Sequence, residues 1–438
     1  MVLRLEIQVL AQAQPDTKPI LLNAFVTLIL IACPALILVV SSGGSTPYHI
    51  AAFVGLVCLA VRRPRLPRAL GEDEKLARVG FFAFTAAVLI SLVETGFSRE
   101  AVKDLDVLLR PLWAIPIMYL FVRVRTSEAL LWFGLALGAV VAGSSALYES
   151  IITDHYVRAD GATSAIIFGN TALLMGTISA VGVPYFRKLG RLYLVIPALA
   201  LIFGLMASLL SGSRGGWIAL PALVLVLLWH FWREGFRRAS LIIGMLLIGC
   251  IGLSLSLPQT GVSDRAEEAV IQFDQYVADP VEYGGTSVGQ RLELWRAAWN
   301  MFLEKPFFGG GIGHSFNTFL KEGVALGHYH PNSVVQTMPH NVFLDTLAMQ
   351  GLVGLAGLLG IWGALSVVFT KAVREQDTDI RILGMAGLML MVGYFMFGLT
   401  DSVMGYGPPL VFFSLYSALI VYRISEARLR SGLPQKGL

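Results

Sequence analysis

The chain has 438 residues, of which 55% are hydrophobic and 14% are charged, and its mean hydropathy is +0.69. These values exclude an ordinary soluble globular protein. The net charge of +4 is small and reflects basic residues placed around membrane spans, so it does not suggest a nucleic-acid partner. The composition indicates an all-α polytopic membrane protein.

Apolar stretches close to the roughly 20 residues that cross a bilayer recur along the chain. We predict about twelve transmembrane helices, at roughly 20–41, 48–61, 79–95, 107–122, 129–147, 164–183, 192–210, 217–232, 239–257, 342–369, 382–400 and 408–422. They divide the chain into transmembrane helices 1–9 (1–257), a loop domain (258–341), and transmembrane helices 10–12 with a tail (342–438).

The basic residues indicate the orientation of the spans. They concentrate in alternate connections, whereas the short opposite connections carry only Arg99, Lys103, Arg158 and Arg214. The positive-inside rule then places both termini in the cytoplasm and the 258–341 loop outside. The polar start, Met1–Thr17, does not resemble a cleavable signal peptide. Cys33, Cys58 and Cys250 fall in apolar spans, where free thiols are expected.

The 258–341 loop carries an acidic stretch, expected to be helical in part, and then an amphipathic helix over Ser287–Glu304. In that helix Leu292, Trp295, Trp299 and Phe302 recur at three- and four-residue steps. Such a stripe suits a helix that lies on the membrane surface or one that packs on the transmembrane bundle. A glycine-rich bend follows at 309–313. It lacks the Lys-Ser/Thr of a P-loop, so we exclude nucleotide binding there.

His340 ends the long loop and leads directly into the next apolar span. An imidazole changes charge near neutral pH and can accept a proton at a water–lipid boundary. Asn341 is placed to cap the helix that follows, and Asp345, one turn later, could pair with Asn341. We predict His340 to be catalytic, with Asn341 in a supporting position.

Four arginines are further candidates. Arg214, in Ser211-Gly212-Ser213-Arg214-Gly215-Gly216, stands among small residues that let backbone amides and a guanidinium approach an anion. The alternative is a plain turn with a solvated cation. Arg291 starts the amphipathic helix, where it could instead be a cation near lipid headgroups. Arg296 is a weaker candidate. Arg110 lies within a span and could equally pair with Glu94 or Asp106.

Two metal sites are less well supported alternatives. His328-Tyr329-His330 could contribute to a zinc site, but neither CxxC nor HExxH accompanies it. Asp104-Leu105-Asp106 has the Asp-x-Asp spacing that some metal-dependent glycosyltransferases use. Such short patterns arise often by chance, so we predict no metal and no other cofactor.

Taken in order, these features resemble the bacterial O-antigen ligase superfamily, which includes O-antigen polymerases and pilin-type protein oligosaccharyltransferases. The resemblance covers roughly 200–360, and the first half of the chain matches only in hydropathy. The matching features are about twelve helices, Ser213-Arg214-Gly215, Arg291 with Leu294-Trp295 and Trp299, Pro306 to Gly313, His340-Asn341, and Gly351-Leu352-Val353-Gly354-Leu355.

The resemblance implies a GT-C-like glycosyltransferase of the bacterial inner membrane with its active site on the periplasmic face. His340 would be the catalytic base, and Arg214 and Arg291 would bind a pyrophosphate. The donor would be O-antigen on undecaprenyl pyrophosphate and the acceptor a hydroxyl of the lipid A–core oligosaccharide, both among membrane lipids. Transfer would invert the anomeric centre without a metal.

Within the superfamily, one dominant outer loop and a typical length favour a ligase. A polymerase often has a second substantial outer loop, and a protein O-oligosaccharyltransferase an added outer domain. Outside the superfamily, a lipid or polysaccharide transporter fits twelve helices, and Arg110 could mark its substrate path. No internal repeat supports that alternative.

Overall fold

The computed structural model describes residues 20–61, 70–96, 98–152, 158–241, 244–245, 262–313, 315–335 and 337–431. In these ranges the regular structure is helical and contains no β-strand. The α-helices are α1 (Ile20–Leu36), α2 (Ser45–Val61), α3 (Glu72–Thr95), α4 (Arg99–Leu108), α5 (Arg110–Val124), α6 (Glu128–Leu147), α7 (Ala165–Val181), α8 (Val183–Leu189), α9 (Val195–Leu210), α10 (Arg214–Arg233), α11 (Val262–Ala278), α12 (Pro280–Tyr283), α13 (Ser287–Glu304), α14 (Ser315–Ala325), α15 (Val342–Val373), α16 (Thr378–Gly398) and α17 (Gly407–Arg430).

The fold class is confirmed: the protein is an all-α polytopic membrane protein. Within the described ranges, eight helical stretches are long and apolar enough to cross a membrane, and nine if the bent pair α7 and α8 counts as one span. Helices α1 and α2 are apolar but shorter. The predicted span 239–257 lies largely outside the described residues, so the number twelve stays a prediction.

Small residues allow the long helices to approach one another closely. A Cβ atom on Gly80 of α3 would lie 2.9 Å from the Cβ of Ala364 on α15, and one on Gly357 would lie 2.4 Å from the Cβ of Ala87. In a bilayer, where burial of apolar surface adds little, close packing of this kind drives helix association. Helix α17 is almost entirely buried and lies at the centre of the bundle.

Ion pairs join the helix ends that are remote from His340. Arg428 near the end of α17 pairs with Asp73 at the start of α3, and Arg381 of α16 pairs with Glu234 just after α10. The partners in both pairs are largely buried, and breaking such a pair leaves an uncompensated charge. These contacts fix the register of the helices that carry the candidate site at their other ends.

The bounds predicted for the amphipathic helix, Ser287–Glu304, are those of α13. The face that it buries is different from the predicted stripe. Leu294, Ala297 and Met301 are buried against α14 and against Ala348 of α15, whereas Trp299 is exposed. Sequence periodicity favoured the face with the larger side chains, but the small Ala297 permits the closer contact between helices.

The glycine-rich bend at 309–313 is anchored to a break in α15. Gly351 has a φ of +63°, which interrupts the helix and leaves backbone groups without intrahelical partners. Gly310 and Gly311 donate their N–H groups to the carbonyls of Ala348 and Met349, at 2.8 and 3.0 Å. Leu352 and Val353 of α15 donate in return to the carbonyls of Pro306 and Phe307. The long loop is therefore joined to the bundle close to His340.

Candidate functional site

His340 is held in an uncommon conformation at the start of α15. Its φ is +54°, in the left-handed region that non-glycine residues seldom occupy. Its Nδ1 atom lies 3.0 Å from Oδ1 of Asp401, in the connection between α16 and α17. The His340 side chain is 23% exposed and that of Asp401 only 2%. The imidazole is therefore accessible while the carboxylate beneath it is shielded from water.

Asn341 fixes the backbone on the other side of His340. Its Oδ1 accepts hydrogen bonds from the N–H groups of Phe343 and Leu344, which makes it the predicted N-cap of α15. Its Nδ2 donates to the carbonyl of Leu399, at 3.2 Å. Asn341 and Asp345 are paired through the backbone, since the N–H of Asp345 donates to the Asn341 carbonyl at 2.8 Å, while the contacts given for the Asn341 side chain are with the cap and Leu399. Asn341 thus ties α15 to the connection that carries Asp401.

Trp295 brings the long loop to the same place. Its indole Nε1 donates to the carbonyl of Pro339, the residue before His340, at 3.1 Å. Arg291 lies one helical turn before Trp295 on α13, on the same face of the helix and exposed. Four residues of an α-helix rise about 6 Å, so Arg291 lies about that far along the α13 axis from Trp295, which contacts the turn at His340.

The backbone of Arg214 also reaches this region. Arg214 is the first residue of α10, although its side chain lies outside what the structure describes. A Cβ on the next residue, Gly215, would lie 2.6 Å from Oγ1 of Thr400, the neighbour of Asp401. The start of α10 therefore packs directly against the connection that holds Asp401, and glycine permits this approach.

Polar contacts fix the turn before Arg214. Ser213 donates its hydroxyl to Oδ1 of the buried Asn170, at 3.1 Å. Arg158 donates from Nε to the carbonyl of Ser211, at 2.8 Å. The turn is therefore not a loose surface loop, and Arg158 adds a positive charge beside it.

Arg296 makes contacts that hold parts of the long loop together. It pairs with the fully buried Glu293 at 2.8 Å, donates to the carbonyl of His328, and lies over the ring of Tyr329. Glu293 also accepts hydrogen bonds from the Tyr276 hydroxyl and the His330 N–H. The described contacts of Arg296 are thus within the long loop, away from the His340 turn.

Arg110 takes one of its two expected partners. It lies 3.4 Å from Asp106, while Glu94 pairs with Lys305 instead.

The cysteines that the structure describes, Cys33 and Cys58, are free.

The two metal-site alternatives gain no support from the geometry. Oδ2 of Asp104 accepts from the N–H of Gly313, and Asp106 contacts Arg110, so the two carboxylates have separate partners. The Nδ1 atom of His330 accepts from the N–H of Asn332. No cluster of three or more potential metal ligands occurs among the residues that could be searched, which exclude His314.

Asp401 and Thr400 were not singled out in the sequence. Asp401 is the only charged residue between Arg381 and Arg423, and this isolated acid between two spans is the signal that marks it. Burial, followed by the charges of Asp401 and of Asp345 in α15, raises the pKa of Tyr406. Both carboxylates therefore lie close enough to Tyr406 to affect it.

Part of the chain is similar to a known family. Residues 198–359 match the family model described as O-antigen ligase, and this range includes Arg214, Arg291 and His340. Asp401 lies beyond the matched range, so its contact with His340 joins the matched segment to the last two helices.

Two curated relatives are similar to the chain. An uncharacterized protein of Haemophilus influenzae is 24% identical over 389 residues, covering 88% of this chain and 94% of that protein. An O-antigen ligase of Escherichia coli K12 is 22% identical over 282 residues, covering 63% of this chain and 62% of that protein. The family match over 198–359 and the relative named O-antigen ligase support a membrane enzyme of the glycosyltransferase type.

Proposed function

We propose that this protein is an O-antigen ligase. It would transfer O-antigen polysaccharide from undecaprenyl pyrophosphate to a hydroxyl group of the lipid A–core, on the periplasmic face of the inner membrane. The observation that carries the proposal is the accessible His340 imidazole hydrogen-bonded to the buried Asp401, within 3.0 Å, at the end of the family-matched segment.

The reaction is a direct displacement at the anomeric carbon of the donor sugar. The acceptor hydroxyl loses its proton to Nε2 of His340, and its oxygen forms a new bond to the anomeric carbon. The bond from that carbon to the pyrophosphate oxygen breaks, so that undecaprenyl pyrophosphate leaves with the electron pair. One displacement inverts the anomeric centre without a sugar–enzyme intermediate. General-base catalysis of this kind contributes typically about 10²–10⁴-fold.

Asp401 acts on this step through His340. A carboxylate only accepts hydrogen bonds, so a proton on Nδ1 satisfies Asp401 and leaves the Nε2 lone pair for the acceptor. As His340 takes up the proton, the buried carboxylate stabilises the imidazolium. Asp401 is therefore a positioning residue rather than a group that touches substrate.

Arg214 and Arg291 are proposed to neutralise the leaving pyrophosphate. A guanidinium can hold two phosphate oxygens at once, and its contribution grows in a site with little water. The supporting geometry is indirect: Gly215 packs on Thr400, and Trp295, one turn from Arg291, binds the Pro339 carbonyl. Pyrophosphate is already a good leaving group, so the proposal requires no metal or other cofactor.

The experiment is a gel of lipopolysaccharide from cells that lack this gene and are complemented with wild type, His340→Ala or His328→Ala. His328 is exposed in the same loop and serves as a matched control. We expect His340→Ala to lose the whole O-antigen ladder, with polymer left on its undecaprenyl carrier, and His328→Ala to restore the ladder.

Other outcomes of the same gel would contradict the proposal. Core that carries a single repeat unit would indicate a polymerase, and an unchanged ladder in the null strain would exclude ligation as the function. Transfer by the purified protein in detergent separates an enzyme from a transporter, because a detergent solution sustains no transmembrane gradient.

A further inference from the structure

A cavity of about 270 Å³ lies where the first turns of three helices meet. Its wall includes Ser45, Arg110 and Gly407, which are the first residues of α2, α5 and α17. Gly407 follows Asp401 by six residues, so the cavity is at the His340 end of the bundle. None of the contacts that define the His340 site involves these three residues.

The charge of Arg110 is poorly compensated within this wall. Its side chain is only 11% exposed, yet its acidic neighbour Asp106 is 69% exposed and lies at the long distance of 3.4 Å. Water screens an ion pair of that kind, which reduces its strength. A firmer contact is the hydrogen bond from Nη1 to the Ser45 hydroxyl, at 3.0 Å.

The Arg110 guanidinium has more N–H donors than it has acceptors among the described residues. Nε of Arg110 is buried and has no hydrogen-bond acceptor among the described residues. A guanidinium carries five N–H donors, and a buried donor without an acceptor is unfavourable. The terminal Nη1 and Nη2 atoms, which contact Ser45 and Asp106, carry four of these donors and would suit an acceptor with several negatively charged oxygens.

The remaining lining contains both polar and apolar groups. The polar groups are the hydroxyls of Ser42 and Thr163 and the start of α2, whose N-terminal end favours anions. The apolar groups are those of Ile37, Val40, Val107 and Pro408. A phosphoryl group joined to a hydrocarbon chain matches both kinds of group, whereas a free sugar matches only the polar ones.

The position of the guanidinium depends on Gly407. A Cβ added there would lie 2.1 Å from Nη1 of Arg110. Any larger residue at 407 would therefore move the guanidinium away from the start of α17. This gives a way to displace the charge without removing it.

We propose that the Arg110 cavity binds the phosphoryl group of a membrane lipid, with Arg110 and the hydroxyls of Ser42 and Ser45 as ligands. Arg291, one of the two proposed pyrophosphate ligands, is not part of the described lining of this cavity. Phosphoryl binding by itself does not require that the protein be a ligase. Only the assignment of the lipid to the donor or the acceptor rests on the proposed function.

The experiment is native mass spectrometry of the full-length protein in detergent, titrated with defined lipids. The probes are phosphatidylglycerol, lipid A and undecaprenyl pyrophosphate, with diacylglycerol as the phosphate-free reference. The variants are Arg110→Gln and its matched control Arg99→Gln, which changes an exposed arginine at the start of α4. We expect Arg110→Gln to weaken binding of at least one phosphorylated probe by about tenfold to a hundredfold, and Arg99→Gln to bind like wild type.

The lipid that responds identifies the source of the phosphoryl group. An equal loss for all three probes supports a general headgroup site, a loss for lipid A alone supports the acceptor, and a loss for undecaprenyl pyrophosphate alone supports the donor. Wild-type affinity of Arg110→Gln for every probe would overturn the proposal. So would binding of diacylglycerol that equals binding of phosphatidylglycerol.

A second variant keeps the test decisive if Arg110→Gln does not fold. Gly407→Ala retains the charge and displaces the guanidinium, so it should also weaken phosphoryl-lipid binding, and unchanged binding would overturn the proposal. Because the readout is lipid binding, it is independent of the His340→Ala lipopolysaccharide result. A ligase that fails this binding test remains a ligase.

Discussion

His340 and Asp401 are 61 residues apart in the chain, yet Nδ1 of the imidazole and Oδ1 of the carboxylate lie 3.0 Å apart. A second contact holds the same two segments together, since Asn341 donates to the Leu399 carbonyl. A third joins the Asp401 segment to α10, where Gly215 packs against Thr400. The connection between α16 and α17 is thus fixed against the starts of both α15 and α10.

Asp401→Asn tests whether the carboxylate positions the imidazole. We expect His340→Ala to lower the transfer rate by about 10²–10⁴-fold and Asp401→Asn to lower it by less. The measurement is the rate of glycosyl transfer by purified protein.

Asp274→Asn is the control for that experiment, since Asp274 is exposed on α11. It should leave the rate unchanged. A wild-type rate in Asp401→Asn would contradict a positioning role for Asp401.

Arg214→Lys tests the proposed pyrophosphate contact. A lysine keeps the charge but has no planar fork for two phosphate oxygens, so the transfer rate should fall although the protein still inserts. Arg233→Lys, at the other end of α10, is the matched control and should retain the rate. Near-normal transfer by Arg214→Lys would count against a bidentate contact.

Gly215→Ala tests the packing that brings Arg214 to the site. The added methyl group would meet Oγ1 of Thr400 at 2.6 Å, so it should displace the start of α10 and lower transfer. Combining it with Thr400→Ala removes the obstructing hydroxyl and should restore part of the rate. Transfer assays of the two single variants and the double variant measure this coupling. An additive loss in the double variant would contradict the proposed contact.

Gly351→Ala should destabilise the junction between the long loop and α15. A backbone with φ +63° and ψ −157° is essentially restricted to glycine and is unfavourable by about 1–3 kcal/mol for alanine, and the new methyl group would lie 2.5 Å from the Phe307 backbone. Gly363→Ala is the control, because it lies in the same helix with nothing within 4 Å. Thermal unfolding in detergent should show a lower midpoint only for Gly351→Ala; equal midpoints would refute the role of the break.

The contact between Tyr276 of α11 and Glu293 of α13 should depend on pH. Burial, followed by the hydrogen bond to Glu293, raises the pKa of Tyr276 above its ordinary value of about 10. The folded state therefore holds this proton more tightly than the unfolded state. The resulting stabilisation is complete below about pH 10 and is lost as the pH rises toward the higher pKa of the folded state.

Hydrogen exchange of α11 and α13 between pH 8 and pH 11 measures this effect, after correction for the intrinsic pH dependence of exchange. Protection should decrease at the alkaline end in wild type. Tyr276→Phe cannot ionise and should not show that extra decrease. An identical alkaline decrease in both proteins would show that another group is responsible.

Local patterns in the sequence determined the fold class, the bounds of α13 and the cap at Asn341. Helical periodicity, capping and membrane-length apolar stretches depend on residues that are close in the chain, so they can be read without a tertiary structure. For the same reason His340 could be recognised at the polar end of the loop, just before the cap of α15.

Only the tertiary structure decided which residues meet. It selected Asp401 as the partner of His340, placed Gly215 against Thr400, and showed that α13 buries Leu294 and Ala297 rather than its tryptophan stripe. It also gave Arg110 its cavity at the starts of α2 and α17. Each of these contacts joins segments that are distant in the chain, and their pairing depends on how the helices pack rather than on any local preference.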